Sequence, residues 1–272
     1  MKKLFYSILF VSSMCFMTSC TKSDDASSSD KTQIVVDLKS DMSFKSSTGG
    51  VQPVSRSINE DAYKEIKNYT VKLTKADTGE EINTAVYKDW ALAYEVTPGQ
   101  QYKLEAYYGE SSPASYDNLY VYGSETFSVQ AGSTKKIGFQ CKPQAIKVNV
   151  AYSDDFSKYF SDCIVSIKTK HMDAPWTMGV AEVGKDLYLQ SDAQEEVELA
   201  FDIKDKDGDS VSPEGFTNTK LVTVSSQTLL KINISPEVTE VEGGEFGINI
   251  SVNTDVVDED VNIEIPSDIF NN

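Results

Sequence analysis

Alternation of apolar and polar residues at every second position is the dominant pattern along this chain. A period of two places every other side chain on the same face of a strand, so it predicts half-buried β-strands. In the first half the apolar rows are Ile34-Val36-Leu38, Tyr69-Val71-Leu73, Tyr102-Leu104-Ala106, Phe127-Val129 and Ile137-Phe139-Cys141.

The second half of the chain continues the same pattern. Turn sequences rich in Gly, Pro and Asp separate the rows, and only Asp61 to Lys67 has the pattern of a short helix. The sequence therefore predicts an all-β protein. The later rows are Ile146-Val148-Val150-Tyr152, Cys163-Val165-Ile167, Val197-Leu199-Phe201-Ile203, Ile232-Ile234, Ile248-Ile250-Val252 and Ile263-Ile265.

The apolar rows repeat at an offset of about 94 to 95 residues, which lays Tyr69-Val71-Leu73 on Cys163-Val165-Ile167 and Ile137-Phe139 on Ile232-Ile234. The match lies in pattern more than in identity, and it predicts two tandem β-sandwich domains. We place their boundary at Lys142-Pro143, because proline cannot donate to a β-ladder. The predicted domains are residues 34–142 and 143–272, and the tail from Val238 adds two strands to the second.

The chain begins with a cationic start, Met1-Lys2-Lys3, followed by an apolar run from Leu4 to Met17 that is too short for a confident spanning helix. Residues 1–19 have the pattern of a secretory signal peptide. The residues before Cys20 resemble a bacterial lipobox, which implies that Cys20 is acylated and begins the mature chain. Several acyl chains on one cysteine give a firm membrane anchor. The alternative is an ordinary signal peptide that leaves Cys20 as a thiol.

Residues 20–33 are rich in Ser, Asp and Lys and predict a flexible tether. Within it, Lys22, Asp24 and Asp25 resemble the lysine-and-acid export signal of Bacteroides-group surface lipoproteins. The alternative is that these residues only solvate the tether. The export signal predicts a protein anchored by lipid in the outer membrane and facing the cell exterior.

Composition narrows the range of partners. The 272-residue chain is 40% hydrophobic, which favours a folded protein, and its formal net charge of -17 disfavours nucleic acid as a partner. His171 is the only histidine and Arg56 the only arginine.

Several stretches resemble a domain-of-unknown-function family of Bacteroides-group lipoproteins, and the similarity covers roughly Ile34 to Ile234. That family is similar in turn to the fimbrillin-like (type V pilus) proteins, which have two transthyretin-like sandwiches. The resemblance implies two transthyretin/immunoglobulin-like β-sandwich domains. The stretches are Tyr69-Thr-Val-Lys-Leu73, Val96-Thr-Pro-Gly-Gln-Gln-Tyr-Lys-Leu-Glu-Ala-Tyr107-Tyr108, Tyr122-Gly-Ser-Glu-Thr-Phe-Ser-Val-Gln-Ala-Gly132 and Phe139-Gln-Cys-Lys142.

The resemblance also implies a function, namely adhesion or an anchor or accessory role in a pilus-like assembly. In fimbrillin-like subunits, cutting after an arginine releases the first strand and opens a groove for a neighbour's strand. Here the predicted strand Ile34 to Leu38 precedes Arg56 in the same order. Arg56 is therefore a candidate processing site, and the alternative is a solvated loop residue.

The sequence predicts no enzyme activity, no catalytic residues and no cofactor. A Ser-His-Asp arrangement would have to use His171, which we expect to be a surface histidine after a strand. A hydrolase with a carboxylate pair is supported only by the abundance of acids. The run Asp205 to Glu214 resembles a calcium loop, but Ile203 stands where the first carboxylate belongs. A hairpin with an Asp-Gly turn is favoured there, so no metal site is predicted.

Two further features leave alternatives open. Cys141 and Cys163 fall on the inward phase of their strands, and they are either two buried thiols or a disulfide. Trp90, Tyr116, Tyr120 and Tyr122 are candidates for stacking on sugar rings, although alternating tyrosines also pack well across strands. They support the alternative function of a surface glycan-binding lipoprotein in a polysaccharide uptake system, with host or dietary glycans as partners.

Overall fold

The computed structural model describes residues 31–45, 58–210, 219–241, 245–254 and 257–265. These residues form three β-sheets and very little helix, which confirms the predicted all-β class. The sheets build two tandem β-sandwiches, and each has its own hydrophobic core.

The first sandwich comes from a sheet with the strand order β3-β2-β5-β7-β8-β1-β4. β7 and β8 share only two residue pairs, Val121 with Pro143 and Tyr122 with Lys142. The sheet therefore divides there into a four-stranded layer and a three-stranded layer. Its strands are β1 (Gln33–Ser40), β2 (Thr70–Lys75), β3 (Glu81–Val86), β4 (Tyr94–Glu95), β5 (Tyr102–Tyr108), β7 (Val121–Phe127) and β8 (Thr134–Pro143), with β6 (Ala114–Ser115) between β5 and β7 in the chain.

The second sandwich has a four-stranded sheet, β11-β10-β13-β14, and a six-stranded sheet, β17-β16-β15-β9-β12-β6. The short strand β6 crosses from the first half of the chain and pairs with β12. The elements are β9 (Ala145–Tyr152), α1 (Phe156–Tyr159), β10 (Asp162–Lys168), β11 (Trp176–Met178), β12 (Leu187–Gln190), β13 (Gln194–Lys204), β14 (Thr219–Ser225), β15 (Leu229–Val241), β16 (Glu245–Thr254) and β17 (Val257–Ile265).

The two sandwiches share a topology. In the first, β1 pairs in parallel with β8, and in the second β9 pairs in parallel with β15. The layers β3-β2-β5-β7 and β8-β1-β4 thus correspond to β11-β10-β13-β14 and β15-β9-β12. The strands matched by the sequence offset, β2 with β10 and β8 with β15, occupy equivalent positions. β16 and β17 extend the second sandwich as two further strands.

The short helix predicted from Asp61 to Lys67 falls on a helical segment, but its helices are of the 3-10 type. The chain forms two 3-10 turns there, Glu60–Lys64 and Ile66–Asn68, and the Asn59 side chain caps the first by accepting a bond from the Asp61 N–H at 3.1 Å. The segment is too short for an α-helix to be stable without a packed face. The one-turn helix α1 was not predicted, because four residues give no periodic signal.

The two described cysteines are free and buried, each in a different core. Cys141 lies in the first core and Cys163 in the second, so the disulfide alternative is wrong. Burial raises the pKa of the Cys141 thiol to about 12 and also raises the pKa of Cys163. Both thiols are protonated and inert at neutral pH.

A buried ion cluster joins the two sandwiches. Lys147 on β9 is 4% exposed, and its ammonium lies 2.9 Å from a Glu60 carboxylate oxygen and 3.0 Å from an Asp186 carboxylate oxygen. The Tyr188 hydroxyl donates to Glu60 at 2.6 Å, and the Asn149 amide donates to Asp186 at 3.1 Å. Glu60 belongs to the first sandwich and the other four residues to the second, so this cluster fixes one sandwich against the other.

Lys147→Ala should therefore lower the free energy of unfolding by about 3–5 kcal/mol, because it leaves two carboxylates next to each other without their buried cation. Urea unfolding of the purified protein measures this change. Lys64→Ala is the matched control, since Lys64 pairs with Asp61 in solvent and its loss should cost less than about 1 kcal/mol. Equal destabilisation by the two variants would contradict the assigned role of Lys147.

Candidate functional site

Three tyrosines form one patch on the outer face of the first sandwich. In β5 the residues Tyr102, Leu104 and Ala106 point into the core, so Tyr107 points outward. Tyr107 pairs directly with Tyr122 of β7, which places both side chains on the same face. Tyr120 stands two residues before Tyr122 and shares this face. We call Tyr107, Tyr120 and Tyr122 the tyrosine face.

The rings of the tyrosine face are arranged as neighbours and are half-buried. The ring centroids of Tyr120 and Tyr122 are 6.2 Å apart with an interplanar angle of 24°, and those of Tyr107 and Tyr120 are also 6.2 Å apart. Burial raises the pKa of Tyr120, so its hydroxyl stays protonated at neutral pH. The face offers apolar ring surface together with hydroxyl groups.

A charged pair lies beside the tyrosine face. The Tyr122 hydroxyl donates to a Glu105 carboxylate oxygen at 2.6 Å, and the Lys103 ammonium lies 2.7 Å from the same oxygen. Lys103 also lies 5.9 Å from the centre of the Tyr122 ring. Burial raises the pKa of Glu105, but the hydrogen bonds from Lys103 and Tyr122 lower it by more. The pKa of this carboxyl is therefore below its ordinary value. The carboxylate is ionised at neutral pH and holds the Tyr122 ring in place.

Stacked rings beside fixed polar groups can bind a sugar. The apolar C–H face of a pyranose ring packs on an aromatic ring, while its hydroxyls need donors and acceptors at the edge. The tyrosine face supplies the rings, and Glu105 with Lys103 supplies the polar groups. The pair was not predicted as a site, because only the register of β5 on β7 brings it beside the tyrosines.

The other two predicted glycan residues lie elsewhere. Trp90 is 8% exposed and packs on Tyr94 in the first core, with ring centroids 5.5 Å apart, so its prediction as a glycan contact was wrong. A large indole gains more from burial in the core than from a place at the surface. Tyr116 packs on Trp176 against the second core, with ring centroids 5.3 Å apart, so it does not join the tyrosine face.

The loop that resembles a calcium site is a turn in the described residues. The Asp205 carboxylate accepts bonds from the backbone N–H groups of Asp207 and Asp209, both at 2.9 Å. Gly208 has a φ of 90°, the left-handed conformation that an Asp-Gly turn requires. Asp205 thus orders its own turn, as the hairpin prediction expects, and Glu214 lies outside the described residues.

The remaining predicted site residues lie outside the described residues. They are Cys20, Lys22, Asp24, Asp25 and Arg56.

Across the ranges that the structure describes, no helix is both long and apolar enough to cross a membrane.

His171, predicted to be a surface histidine after a strand, lies in the turn after β10, and its side chain is 19% exposed. It lies against Glu195, because a turn at Thr169 folds it back onto the start of β13.

Comparison with solved structures found similar folds in proteins from Bacteroides and Parabacteroides species. One is described as a "putative adhesin" from Bacteroides ovatus; the identity is 9%, the match covers 86% of this chain and 95% of that one, and the TM-score is 0.43. Another is a fimbrial assembly protein from Parabacteroides distasonis, with 12% identity, 85% and 98% coverage and a TM-score of 0.37.

A third solved structure, from Bacteroides thetaiotaomicron, is described among "putative polysaccharide binding proteins (DUF1812)". The identity is 10%, the match covers 81% of this chain and 95% of that one, and the TM-score is 0.38. A search of curated proteins found no match. The model of the family described as Domain of unknown function (DUF4493) matches residues 22–267, nearly the whole sequence, and the chain therefore belongs to the DUF4493 family.

Proposed function

We propose that this protein is a non-enzymatic adhesion protein, anchored by lipid at the cell surface, that binds carbohydrate on its tyrosine face. The observation that carries the proposal is the row of Tyr107, Tyr120 and Tyr122 on one outer face, with the Glu105 carboxylate fixed beside it. Rings that pack only in a core would point inward, as Tyr102 does. These three rings remain partly open to solvent.

The charge of the protein narrows the class of carbohydrate. The ionised Glu105 lies at the edge of the face, and the chain carries a net charge of -17. Sulfated and uronic-acid-rich glycans are repelled by such a surface. Neutral host or dietary glycans are the proposed ligands.

The start of the chain supports surface display. Acylation of Cys20 would hold the protein on the outer membrane, and the predicted tether would end where β1 begins, at Gln33. An adhesion protein needs this reach, because its binding face must clear the membrane to meet a large ligand.

A second function, an anchor or accessory subunit of a pilus-like assembly, is favoured by the pairing of β1. This strand is bonded along its whole length to β8 but touches β4 only through Gln33 and Ile34. It also buries Ile34, Val36 and Leu38 in the first core. Loss of β1 would expose the edge of β8 and an apolar groove, and strand addition from another subunit would fill both.

Removal of one ring should weaken carbohydrate binding. Tyr122→Ala is expected to reduce affinity for neutral glycans by about threefold to tenfold, since one ring contact is lost. A glycan array first identifies the neutral mucin-type and plant oligosaccharides that the wild-type protein binds. Titration with those oligosaccharides then measures the affinity of each variant. Tyr122→Phe keeps the ring and should retain most of the binding.

Ser124→Ala is the matched control for this series, since Ser124 is exposed two residues further along β7 on the same face. If Tyr107→Ala, Tyr120→Ala and Tyr122→Ala bind the glycan with the same affinity as the wild type, the tyrosine face is not the binding site. A wild type that binds no neutral glycan would reject the carbohydrate proposal and leave the assembly function standing.

Cutting after Arg56 should convert the protein into a form that assembles. Arg56 is the only arginine, so an arginine-specific protease has one target in the sequence. We expect the cut protein to release the β1 segment and to form oligomers, as measured by light scattering. Arg56→Lys should resist the protease and stay monomeric. Cut protein that loses β1 and remains monomeric would argue against assembly by strand addition.

Surface display is tested by protease shaving of intact cells. Wild-type protein should be cleaved, whereas a variant with Lys22, Asp24 and Asp25 replaced by alanine should be protected, because the export signal is gone. Cys20→Ala should leave the membrane fraction altogether. Lysed cells are the control for protease activity. Protection of the wild type in intact cells, with cleavage after lysis, would put the protein on the periplasmic side and overturn the proposal.

A further inference from the structure

Glu195 is a carboxylate in an apolar row. The inward side chains of β13 after it are Val197, Leu199, Phe201 and Ile203, all buried in the second core. Glu195 takes the first inward position and is 2% exposed. Burying a carboxylate costs free energy unless a cation or strong hydrogen bonds compensate its charge. The groups that contact Glu195 therefore indicate what this position is for.

The contacts of Glu195 are long for a buried charge. One of its oxygens lies 3.2 Å from His171 Nε2, 3.4 Å from Lys170 Nζ and 3.4 Å from the backbone N of Asp192. Bonds between a charged donor and a carboxylate are ordinarily about 2.7–2.9 Å long. Within the described part of the chain, this carboxylate is thus surrounded by partners but held closely by none of them.

The same point in the fold gathers three groups that can bind a metal ion. His171 Nε2, an Asp192 oxygen and the Glu195 oxygen all lie within 4.8 Å of one another. The nitrogen is 3.2 Å from the Glu195 oxygen and 4.0 Å from the Asp192 oxygen. Bonds of about 2.0–2.2 Å to a tetrahedral zinc ion put the ligand atoms about 3.4 Å apart. Small side-chain movements would bring the three groups to that spacing.

Adjacent strands position these groups. β10 and β13 are antiparallel neighbours, with Lys168 opposite Glu198, so the turn after β10 meets the turn before β13. The Thr169 hydroxyl accepts a bond from the His171 N–H at 3.3 Å and orients the histidine turn. The ligand groups thus come from two turns that a rigid strand pair holds together.

A lysine ammonium already pairs with both carboxylates of the cluster. The Lys170 ammonium pairs with both Asp192 and Glu195, and Asp192 in return raises the pKa of Lys170. The Lys170 side chain is 57% exposed, so it can turn out into water at little cost. A divalent ion that replaced it would bring a second positive charge to the buried carboxylate and a bond to the imidazole.

We propose that His171, Asp192 and Glu195 form a surface binding site for a divalent transition metal ion of the zinc class, with Lys170 occupying the site until the ion displaces it. One imidazole with two carboxylates suits zinc better than calcium or magnesium, which prefer oxygen ligands alone. The neutral histidine binds through Nε2 and keeps its proton on Nδ1. Water completes the coordination on the exposed side of Asp192.

The test is a titration of tag-free, full-chain protein with zinc chloride. Calorimetry measures the affinity and the number of bound ions, and NMR monitors the imidazole signals. His171 is the only histidine, so its ring gives one set of imidazole signals. We expect one zinc ion per chain and a shift of those signals that saturates at the same ratio. His171→Ala should weaken binding by at least about tenfold, because one of three ligands is lost.

Lys170→Ala separates a metal site from an ordinary ion pair. If the lysine competes with the ion, its removal should tighten zinc binding by about tenfold, since one positive charge leaves the site. If the cluster is only an ion pair, Lys170→Ala will not gain affinity. Asp207→Asn is the control for exposed acids elsewhere and should leave zinc affinity unchanged.

Two results would overturn the proposal. One is zinc binding that leaves the His171 imidazole signals unmoved, which would place the ion on other acids. The other is lack of binding by both the wild type and Lys170→Ala. The NMR measurement uses unaltered protein, so it decides the question even if Glu195→Gln or His171→Ala fails to fold.

Discussion

The buried ammonium of Lys147 is the contact on which the relative position of the two sandwiches depends. β9 is covered on both faces: Ile146, Val148 and Val150 face the second core, while Lys147 and Asn149 face the junction. An ammonium inside a protein is tolerated only when carboxylates and hydrogen bonds surround it. Glu60 of the first sandwich and Asp186 of the second supply these carboxylates. The junction is thus specific in geometry, whereas a purely apolar contact could slide.

Aromatic packing completes the junction. Tyr188 belongs to the second sandwich by its strand but lies in the first core, where its ring is 6.0 Å from that of Phe44. The Lys147 ammonium lies 5.6 Å from the Phe44 ring and 5.9 Å from the Tyr188 ring. Such contacts add cation–π attraction to the ion pairs. The ion pairs, the Tyr188 hydroxyl and the ring contacts thus tie the two sandwiches together at one junction.

The strands were predictable from the sequence because a half-buried strand repeats every two residues, and rows such as Val71-Leu73 and Cys163-Val165-Ile167 need no distant partner to be recognised. The same rule does not reveal the buried charges of Lys147 and Glu195. Lys147 lies on the phase of β9 opposite the second core, where the junction with the other sandwich covers it, and Glu195 takes an inward position of β13. Burial by a distant part of the chain leaves no local signal.

The site was only partly predictable for the same reason. Tyr120 and Tyr122 stood out by their density in the sequence, whereas the place of Glu105 beside Tyr122 depends on which residues of β5 and β7 pair. Trp90 illustrates the opposite error, since an aromatic residue in a loop can close a core as readily as it can face a ligand. The contacts of His171 had no signal in the sequence, because Asp192 and Glu195 come from another turn.

The parallel pairing of β1 with β8 also constrains how the protein acquires its fold. The N–H of Gly132 bonds the Thr32 hydroxyl across 100 residues of chain, and β9 must likewise await β15. Closing such long loops is slow compared with forming a hairpin. A chain that is made from its first residue onward cannot complete the first sandwich until β8 has followed. Until then β1 lacks the strand that bonds it along its whole length, and the apolar residues Ile34, Val36 and Leu38 wait for the core that β8 closes over them.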